Sequence, residues 1–432
     1  MEEKKPDALV VCSTLNQITN YLVIKEYMPE KVYNITFDEK ARKKMNENIK
    51  IDDWDKQLKN LCKEKLKIDD SNIKDICLGE SDFYNIEDIV DKIDGEIDEN
   101  DKKTIYWHIT GGQRLVAMAV AEFIKDRSQD KWVYMEGNIE KLLEYDNELK
   151  SKNVINYSNR DLDFKQAFDL TGFKYNDKLS STNVLDINNK EINENLGKEQ
   201  EFYNILYGIF CTDASFREQL LESNSEKTEN ERKEYITKAF KDLKEYNKKD
   251  SERLKNCKYD IYKSDEMKKS CPAGYIFEKI AGYKIYKALR NAKFKHNINQ
   301  IAFSIKTQFD DRDDKVKKDD KDNKNKGYSI IDELDIALLS STGKLINFEC
   351  KTGGMEGDNA KSHNYTTYRL SGVFGMPILI SPLLENERKH KEKIEKFGKQ
   401  CGAIRSAERA ELYVWTIDKI EENLKDLLRI RE

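Results

Sequence analysis

Residues 330–352 read IIDELDIALLSSTGKLINFECKT, two apolar runs separated by a short polar turn. Side chains alternate between the two faces of a strand. Glu349 and Lys351 therefore share one face of the second run, and Ile346, Phe348 and Cys350 take the other. On the first run Asp335, Ala337 and Leu339 share a face. With Ser340 to Lys344 as the loop, Leu339 lies opposite Leu345 and Asp335 opposite Glu349. Opposed side chains on paired strands have Cβ atoms about 5 Å apart. Two carboxylates so placed repel unless a positive charge lies between them, and a hard divalent cation, Mg2+ or Mn2+, is the natural candidate for oxygen donors. The competing reading is a hairpin that happens to be charged. Charged residues make up 36% of the chain, so an E-x-K tripeptide alone carries little weight.

Upstream, Pro272 and Gly274 open a helix expected over 275–291, with Phe277, Ile280, Ala281, Ile285 and Ala288 on one apolar face. Glu278 borders that face. It either reaches a site beside the sheet or rims the surface. A strand is expected over 297–308, and then 310–327 (DDRDDKVKKDDKDNKNKG) is almost wholly charged. Such a segment cannot bury enough surface to order itself, and a mobile loop is expected there. Downstream, 352–364 reads as a glycine-rich polar loop. A buried strand follows over Met376 to Ser381, then a basic helix over 386–402, a strand over 411–416 and a terminal helix. Together these make a mixed sheet flanked by helices.

The N-terminal third has a different rhythm. ALVVC (8–12), VYNITF (32–37), a weaker run at Ile76 and Cys77, TIYWHIT (104–110) and WVYM (132–135) read as strands, with helical patterns between them. That alternation argues for an open, mostly parallel α/β sheet, whose ligands bind outside the carboxyl ends of the strands. Two loops lie there, Ser13 to Gln17 and Thr110 to Arg114. Thr110-Gly111-Gly112-Gln113-Arg114 reads as a phosphate cradle at a helix N-terminus or as an ordinary glycine turn. No G-x-G-x-x-G follows the first strand, which disfavours a dinucleotide enzyme. Between the two parts, a helix is expected over 196–210, and 222–256 reads as charged, solvent-exposed helices.

The chain has 432 residues, enough for two or three domains, and a formal net charge of −5. There is no global basic field, so a nucleic acid would need a local positive groove. The eight cysteines form no C-x-x-C pair and there are only four histidines, which excludes a structural zinc site of ordinary spacing. The first residues do not read as a signal peptide, and no run approaches a membrane span. A cytoplasmic protein with reduced thiols and no membrane partner is expected.

An acid on one strand, E-x-K on the next and a preceding helix bearing glutamate resemble the restriction-endonuclease-like PD-(D/E)xK nuclease fold. The matching residues are Glu278, Asp335, Glu349 and Lys351, with Leu334 where the pattern has proline. The N-terminal unit, with its polar first loop and T-G-G turn, resembles a CARF domain, the CRISPR-associated sensor of cyclic oligoadenylate. The strings ALVVCSTLNQ, IYWHITGGQR, AGYIFEKIAG, IIDELDIALL, KLINFECKT and YRLSGVFGMPILIS fall in the order of the CARF–nuclease ancillary effectors of type III CRISPR systems, over about residues 5–140 and 272–420. Gln113-Arg114 stands where that family commonly has Thr-Lys, which leaves the ring size of the activator open.

The resemblance implies an α/β protein with a Rossmann-like CARF domain at 1–150, a linker and charged helical insertion packed with the nuclease at 151–270, and a nuclease core at 271–432. It implies a homodimer activated by a cyclic oligoadenylate, cyclic tetra-adenylate for most of the family. Ser13, Thr14, Asn16 and Gln17 would contact bases or ribose, and Thr110, Gly111, Gly112, Gln113 and Arg114 would hold phosphates. Asp335, Glu349 and the Cys350 carbonyl would bind Mn2+ or Mg2+, with Glu278 and Lys351 completing the catalytic set. Tyr365, Tyr368 and Phe374 would offer stacking surfaces, and Lys361 and Arg369 would track phosphate. Single-stranded RNA or DNA, or supercoiled DNA, is the implied substrate. Two alternatives stay open: a ligand-regulated nucleic-acid-binding protein with an inactive nuclease fold, and an unregulated restriction or repair nuclease.

Overall fold

The computed structural model describes residues 6–14, 16–41, 54–98, 104–136, 141–156, 162–175, 184–187, 189, 194–225, 228–290, 298–308, 330–340, 343–371, 375–389 and 397–428. Phe374 and the charged segment 310–327 lie outside them. The described chain is a two-domain α/β fold built on two seven-stranded sheets.

The first sheet has the order β3-β2-β1-β4-β5-β6-β7. Its strands are β1 (Ala8–Cys12), β2 (Lys31–Phe37), β3 (Ile73–Leu78), β4 (Ile105–His108), β5 (Lys131–Glu136), β6 (Lys141–Tyr145) and β7 (Ser151–Asn156). β1 to β5 pair in parallel, and β5-β6-β7 run antiparallel. The continuous apolar runs of β1 and β4 are buried along their whole length, as strands covered on both faces must be. Helices of the described residues that accompany this sheet include α1 (Ile18–Tyr27), α2 (Trp54–Leu61), α3 (Ile86–Glu96) and α4 (Arg114–Ile124). β6 and β7 were not read from sequence. They carry the first sheet to Asn156, past the expected boundary at 150.

The second sheet has the order β14-β13-β12-β11-β10-β8, with β9 pairing to β10. Its strands are β8 (Lys174–Tyr175), β9 (Val184–Asp186), β10 (Ile298–Gln308), β11 (Ile330–Ser340), β12 (Leu345–Cys350), β13 (Met376–Ser381) and β14 (Tyr413–Thr416). β10, β11 and β12 are antiparallel, whereas β12, β13 and β14 are parallel. The short α5 (Phe164–Asp169) precedes β8 and starts at a capping box, in which Asp163 and Gln166 satisfy each other's backbone N–H groups. β8 and β9 come from the segment expected to be linker and insertion.

The rest of that segment forms α6 (Glu194–Thr212), α7 (Ala214–Glu222), α8 (Glu229–Tyr246) and α9 (Lys248–Asn256). These helices are charged outside but not free-standing. Phe202, Leu206, Phe210, Phe216, Ile236 and Leu243 join one core with α10 (Pro272–Leu289) and the sheet face bearing Ile336, Leu338, Ile346 and Phe348. Residues 357–371 correct the sequence reading: they form a helix, α11 (Gly357–Ser371), where a polar loop was expected as far as residue 364.

A second apolar cluster joins the two sheets. Leu9, Val11, Ile18 and Leu22 of the first unit pack with Leu162, Phe164 and Phe168 and with Ala302, Ala337, Leu339 and Leu345 of the second. The β11–β12 turn lies at this seam. Gly343 has φ +74°, and a Cβ there would meet Ile18 Cγ2 at 2.2 Å and Leu162 Cδ2 at 3.3 Å. Glycine is thus required both by the backbone and by the contact.

Candidate functional site

The hairpin has the register that alternation implies. Pairing runs from Leu339 with Leu345 to Ile336 with Phe348. The next step sets Asp335 level with Glu349, and there the Cys350 N–H donates to Asp335 Oδ2 at 2.8 Å. Glu349 Oε1 forms an ion pair with Lys351 Nζ, so both point to the same face. On the neighbouring strand Ser304, whose place falls between Phe303 (paired with Ile336) and Ile305 (paired with Leu334), has φ 50°. That conformation is unusual for a residue with a Cβ. Phe303 and Ile305 belong to different cores, as do their partners Ile336 and Leu334.

Glu278 projects from α10 toward the same place. Burial pushes its carboxyl up to about 8; Lys351 opposes the shift, and Glu333 and Glu349 add to it. Burial also raises Asp335 well above the usual carboxylate range, helped by Glu278 and Glu349 and opposed by Lys351. For Lys351 burial pulls the ammonium down, but Glu349 and Asp335 outweigh it and the net shift is upward. Three interacting carboxylates thus share one lysine at the edge of a core. A divalent cation relieves such an excess of negative charge, and carboxylate and carbonyl oxygens suit Mg2+ or Mn2+. Among the described residues no three His, Cys, Asp or Glu side chains form a ready cation cage. The donor set that fits is two carboxylates, Asp335 and Glu349, completed by the Cys350 carbonyl. The Cys350 thiol is buried, and burial raises its pKa far above the ordinary value. Beside Glu278 lies a cleft of about 590 Å³, bounded by Tyr275, Ser304, Lys306, Glu333 and the turn around Lys268.

The two N-terminal loops also meet. β1 is flanked by β2 on one side and β4 on the other, so the chain reverses its winding between β1 and β4. A crevice outside the strand ends at such a switch point is where open α/β sheets bind ligands. The Ser13 to Gln17 and Thr110 to Arg114 loops line it. A Cβ on Gly111 would meet Thr14 Cγ2 at 2.6 Å, and one on Gly112, at φ +94°, would meet Cys12 Cβ at 2.4 Å. The paired glycines therefore let the two loops close on each other. Gly112, Gln113 and Arg114 are exposed, whereas Thr14, Asn16, Thr110 and Gly111 are half-buried. The Thr110 hydroxyl accepts from the Met135 N–H at 2.6 Å.

Ser13 and Gln17 are buried. Gln17 Nε2 donates to Asp55 Oδ1 at 2.7 Å and its Oε1 accepts from Asn20. Ser13 Oγ accepts from Trp54 Nε1 at 2.9 Å. Asn34 and Thr36 also donate to Asp55, at 2.9 and 2.6 Å. Asn20 continues the network to the Cys12 carbonyl and to His108 Nδ1. Ser13 and Gln17 are thus bonded into the network that braces the loop. Trp54, Asp55, Asn20 and His108 were not singled out from sequence, because nothing local in the chain announces a network assembled from five separate segments.

Tyr365, Tyr368 and Lys361 are exposed on α11, at 56, 53 and 75% for the residue or side chain. Arg369 is a correction. It is buried over the Phe173 ring, 6.0 Å from its centroid, and is in no position to track phosphate. His363 and Asp332, also unmarked in sequence, adjoin Glu349.

No protein-family model matches the sequence, and no curated protein matches it. Among the solved structures that resemble it are two that align along nearly its whole length. Protein VC1899 from Vibrio cholerae aligns at a TM-score of 0.63 and 13% identity, covering 98% of this chain and 97% of that one. Can2 from Sulfobacillus thermosulfidooxidans, solved in complex with cyclic tetra-adenylate, aligns at a TM-score of 0.58 and 13% identity, with the same coverage. At that identity the likeness is one of fold. No helix among the described residues is long and apolar enough to cross a membrane.

Proposed function

We propose that this chain is a CARF-type sensor coupled to a PD-(D/E)xK nuclease: a metal-dependent endonuclease of type III CRISPR defence, switched on by a cyclic oligoadenylate. The observation that carries the proposal is the meeting of Glu278, Asp335, Glu349 and Lys351 from three separate elements at one point. The fold shared with the cyclic tetra-adenylate complex of Can2 supports the sensor half, as does the two-loop crevice at the switch point. Cyclic tetra-adenylate is accordingly the activator proposed.

Asp335, Glu349 and the Cys350 carbonyl would hold Mn2+ or Mg2+, which supplies a Lewis acid and a more acidic bound water. Lys351 lies beside Glu349 and offers its ammonium to a non-bridging phosphate oxygen as charge builds there. Glu278, held up to about 8 by burial, can donate or accept a proton near neutral pH. Single-stranded RNA or DNA fits a cleft of this size better than a stiff duplex, and Tyr365 and Tyr368 offer stacking faces nearby in sequence. A symmetric cyclic ligand suits a two-fold homodimer. Activation is then a population shift toward the form that cuts.

Purified protein with Mn2+ and labelled single-stranded RNA or DNA, with and without cyclic tri-, tetra- and hexa-adenylate, tests this. Cleavage is expected only with metal, and to rise with one ring size. Cutting that ignores every cyclic oligoadenylate overturns the sensor half. Full activity in Asp335→Ala or Glu349→Ala overturns the metal site.

A further inference from the structure

The β10–β11 pair turns over at one level. On one side of that level its side chains alternate as strands dictate. Phe303, Ile336 and Leu338 enter the core beneath α10, and Ala302, Ala337 and Leu339 enter the other core. A Cβ on Gly282 would lie 2.1 Å from Phe303 Cε1, so α10 approaches β10 closely there, one turn beyond Glu278. Past Ser304 and Asp335 the faces are exchanged. Alternation would return Ile305 and Leu334 to the α10 core, but both lie in the opposite one. Asp332 hydrogen-bonds Thr366 of α11 and lies beside Glu349 and His363. Lys306 and Glu333, paired across the strands, bound the cleft with Tyr275 and Glu278 of α10. The register is kept throughout, since Phe303 pairs with Ile336 and Ile305 with Leu334. Both strands therefore reverse together.

Of the two residues at the crossing level, Ser304 carries the positive φ, 50°. Extended residues have φ near about −120 to −140°, so its backbone is rotated by about half a turn. Residues with a Cβ seldom hold that conformation, and where they do it tends to serve a site. β12 beside the pair alternates without interruption. Phe348 and Cys350 face α10, whereas Asn347 and Glu349 face α11. Glu278, on α10, and Glu349 thus stand on opposite faces of the sheet. A side chain in either regular alternation would meet only one of them. Asp335 lies where the faces exchange. Its Oδ2 accepts from the Cys350 N–H at 2.8 Å, a contact along the sheet rather than above or below it, and both Glu278 and Glu349 act on its carboxyl.

We propose that Ser304 is a positioning residue for Asp335: its left-handed backbone turns the β10–β11 pair over at the one level where a carboxylate can lie between Glu278 on one face and Glu349 on the other. The inference rests on the metal-centre reading given above. Ser304 acts through its backbone, and its hydroxyl is not required. Groups that hold a metal ligand in place alter metal affinity by about 10- to 100-fold when removed.

The test is Mn2+ binding without substrate or activator, followed by the electron paramagnetic resonance signal of free Mn2+. Wild type is compared with Ser304→Gly and Ser304→Thr. Glycine loses the hydroxyl but accepts a positive φ; threonine keeps the hydroxyl, but its branched Cβ rejects that φ. Glycine is expected to bind Mn2+ as tightly as wild type, and threonine about 10- to 100-fold more weakly. If threonine unfolds the protein, Ser304→Ala, unbranched but still disfavoured at positive φ, takes its place with the same direction expected. Weakened binding in the glycine variant overturns the proposal, because the hydroxyl would then be what matters. Unchanged binding in the threonine variant, or in the alanine variant that replaces it, also overturns it. Failure of wild type to bind Mn2+, with Asp335→Asn as the reference, refutes the metal-centre reading itself. Amide exchange in metal-free protein labelled with 15N-cysteine then decides whether Ser304 places Asp335. The Cys350 N–H, bonded to Asp335, is expected to exchange faster in threonine than in glycine, and equal rates overturn the placement.

Discussion

Replacing Gly343 by alanine puts a methyl group where the structure leaves no room for one. The backbone there has φ +74°, and the new Cβ would lie 2.2 Å from Ile18 Cγ2. Holding an L-residue in the left-handed region costs roughly 1–2 kcal/mol. Forcing a methyl into a packed contact adds about 1–3 kcal/mol. The reduced freedom of the unfolded chain returns about 0.5–1 kcal/mol. The net loss is about 1–4.5 kcal/mol, centred near 3 kcal/mol. For a chain of 432 residues melting as one unit, an unfolding entropy near 0.9 kcal/mol/K converts that to a drop of about 3 °C. A double-mutant cycle with Ile18→Ala isolates the contact. Ile18 is 2% exposed, so its truncation alone costs about 2–5 kcal/mol. In the double variant the steric part of the Gly343→Ala cost disappears and the backbone part stays. A coupling of at least about 1 kcal/mol is therefore expected in urea denaturation. Costs that add to within about 0.5 kcal/mol would refute the reasoning, since they would mean that the hairpin turn does not rest on Ile18.

Gly112→Ala strains both φ and the Cys12 contact, whereas Gly95→Ala, in α3, meets nothing within 4 Å. The first is expected to lower melting and weaken binding of cyclic tetra-adenylate in calorimetry; the second is expected to stabilise by about 0.5–1 kcal/mol. The His108 imidazole is pushed down to about 3 from 6.5 by burial. The fold keeps it neutral while the unfolded chain takes up a proton below pH 6.5, so stability is whole above that pH and falls as the pH drops toward 3. Urea titrations at pH 7.5 and 5 are expected to differ by about 2 kcal/mol from this group, and His108→Gln is expected to lose that part of the difference. Asp335→Asn is expected to abolish metal-dependent cleavage and, with chelator present, to raise the melting temperature, because it removes one of three mutually repelling carboxylates; an unchanged or lower melting temperature would count against the crowding of charge at this point.

The hairpin was legible because a strand has a side-chain period of two: once the loop length is set, Asp335 and Glu349 must face each other, and they do at the level marked by the Cys350 N–H. β1 and β4 of the first sheet were legible as unbroken apolar runs, whereas β3, with Lys74 and Asp75 in its middle, gave only a weak signal. α11 was not, for a physical reason. Its inward face buries His363, Thr366, Thr367, Arg369 and Ser371, so it has no strong apolar stripe to give it away. β7 is an edge strand with alternating exposed positions and little apolar content, and β8 and β9 are only two and three residues long. Arg369 shows the opposite error: its charge suggested phosphate, but its neighbours turned it inward over Phe173. The network around Asp55 depends on residues brought together from positions 13 to 55, with His108 joining through Asn20, and composition carries no trace of it.

The apolar seam between the sheets bears on how such a protein can be taken apart. A clean cut after β7 would strip Ile18 and its neighbours of Leu162, Phe164 and Gly343, and would leave the turn of the β11–β12 hairpin without a seat. The Gln17 N–H also donates to the Leu170 carbonyl, and the Phe164 N–H to the Gln300 side chain, so the stretch from 162 to 173 is stitched to both halves. The first unit is therefore not a cassette that can be transplanted at its sheet boundary. A working graft onto another protein would have to carry that stretch and a matching hairpin turn, and a recombination event that kept only the first 156 residues would lose the surface on which the two halves pack.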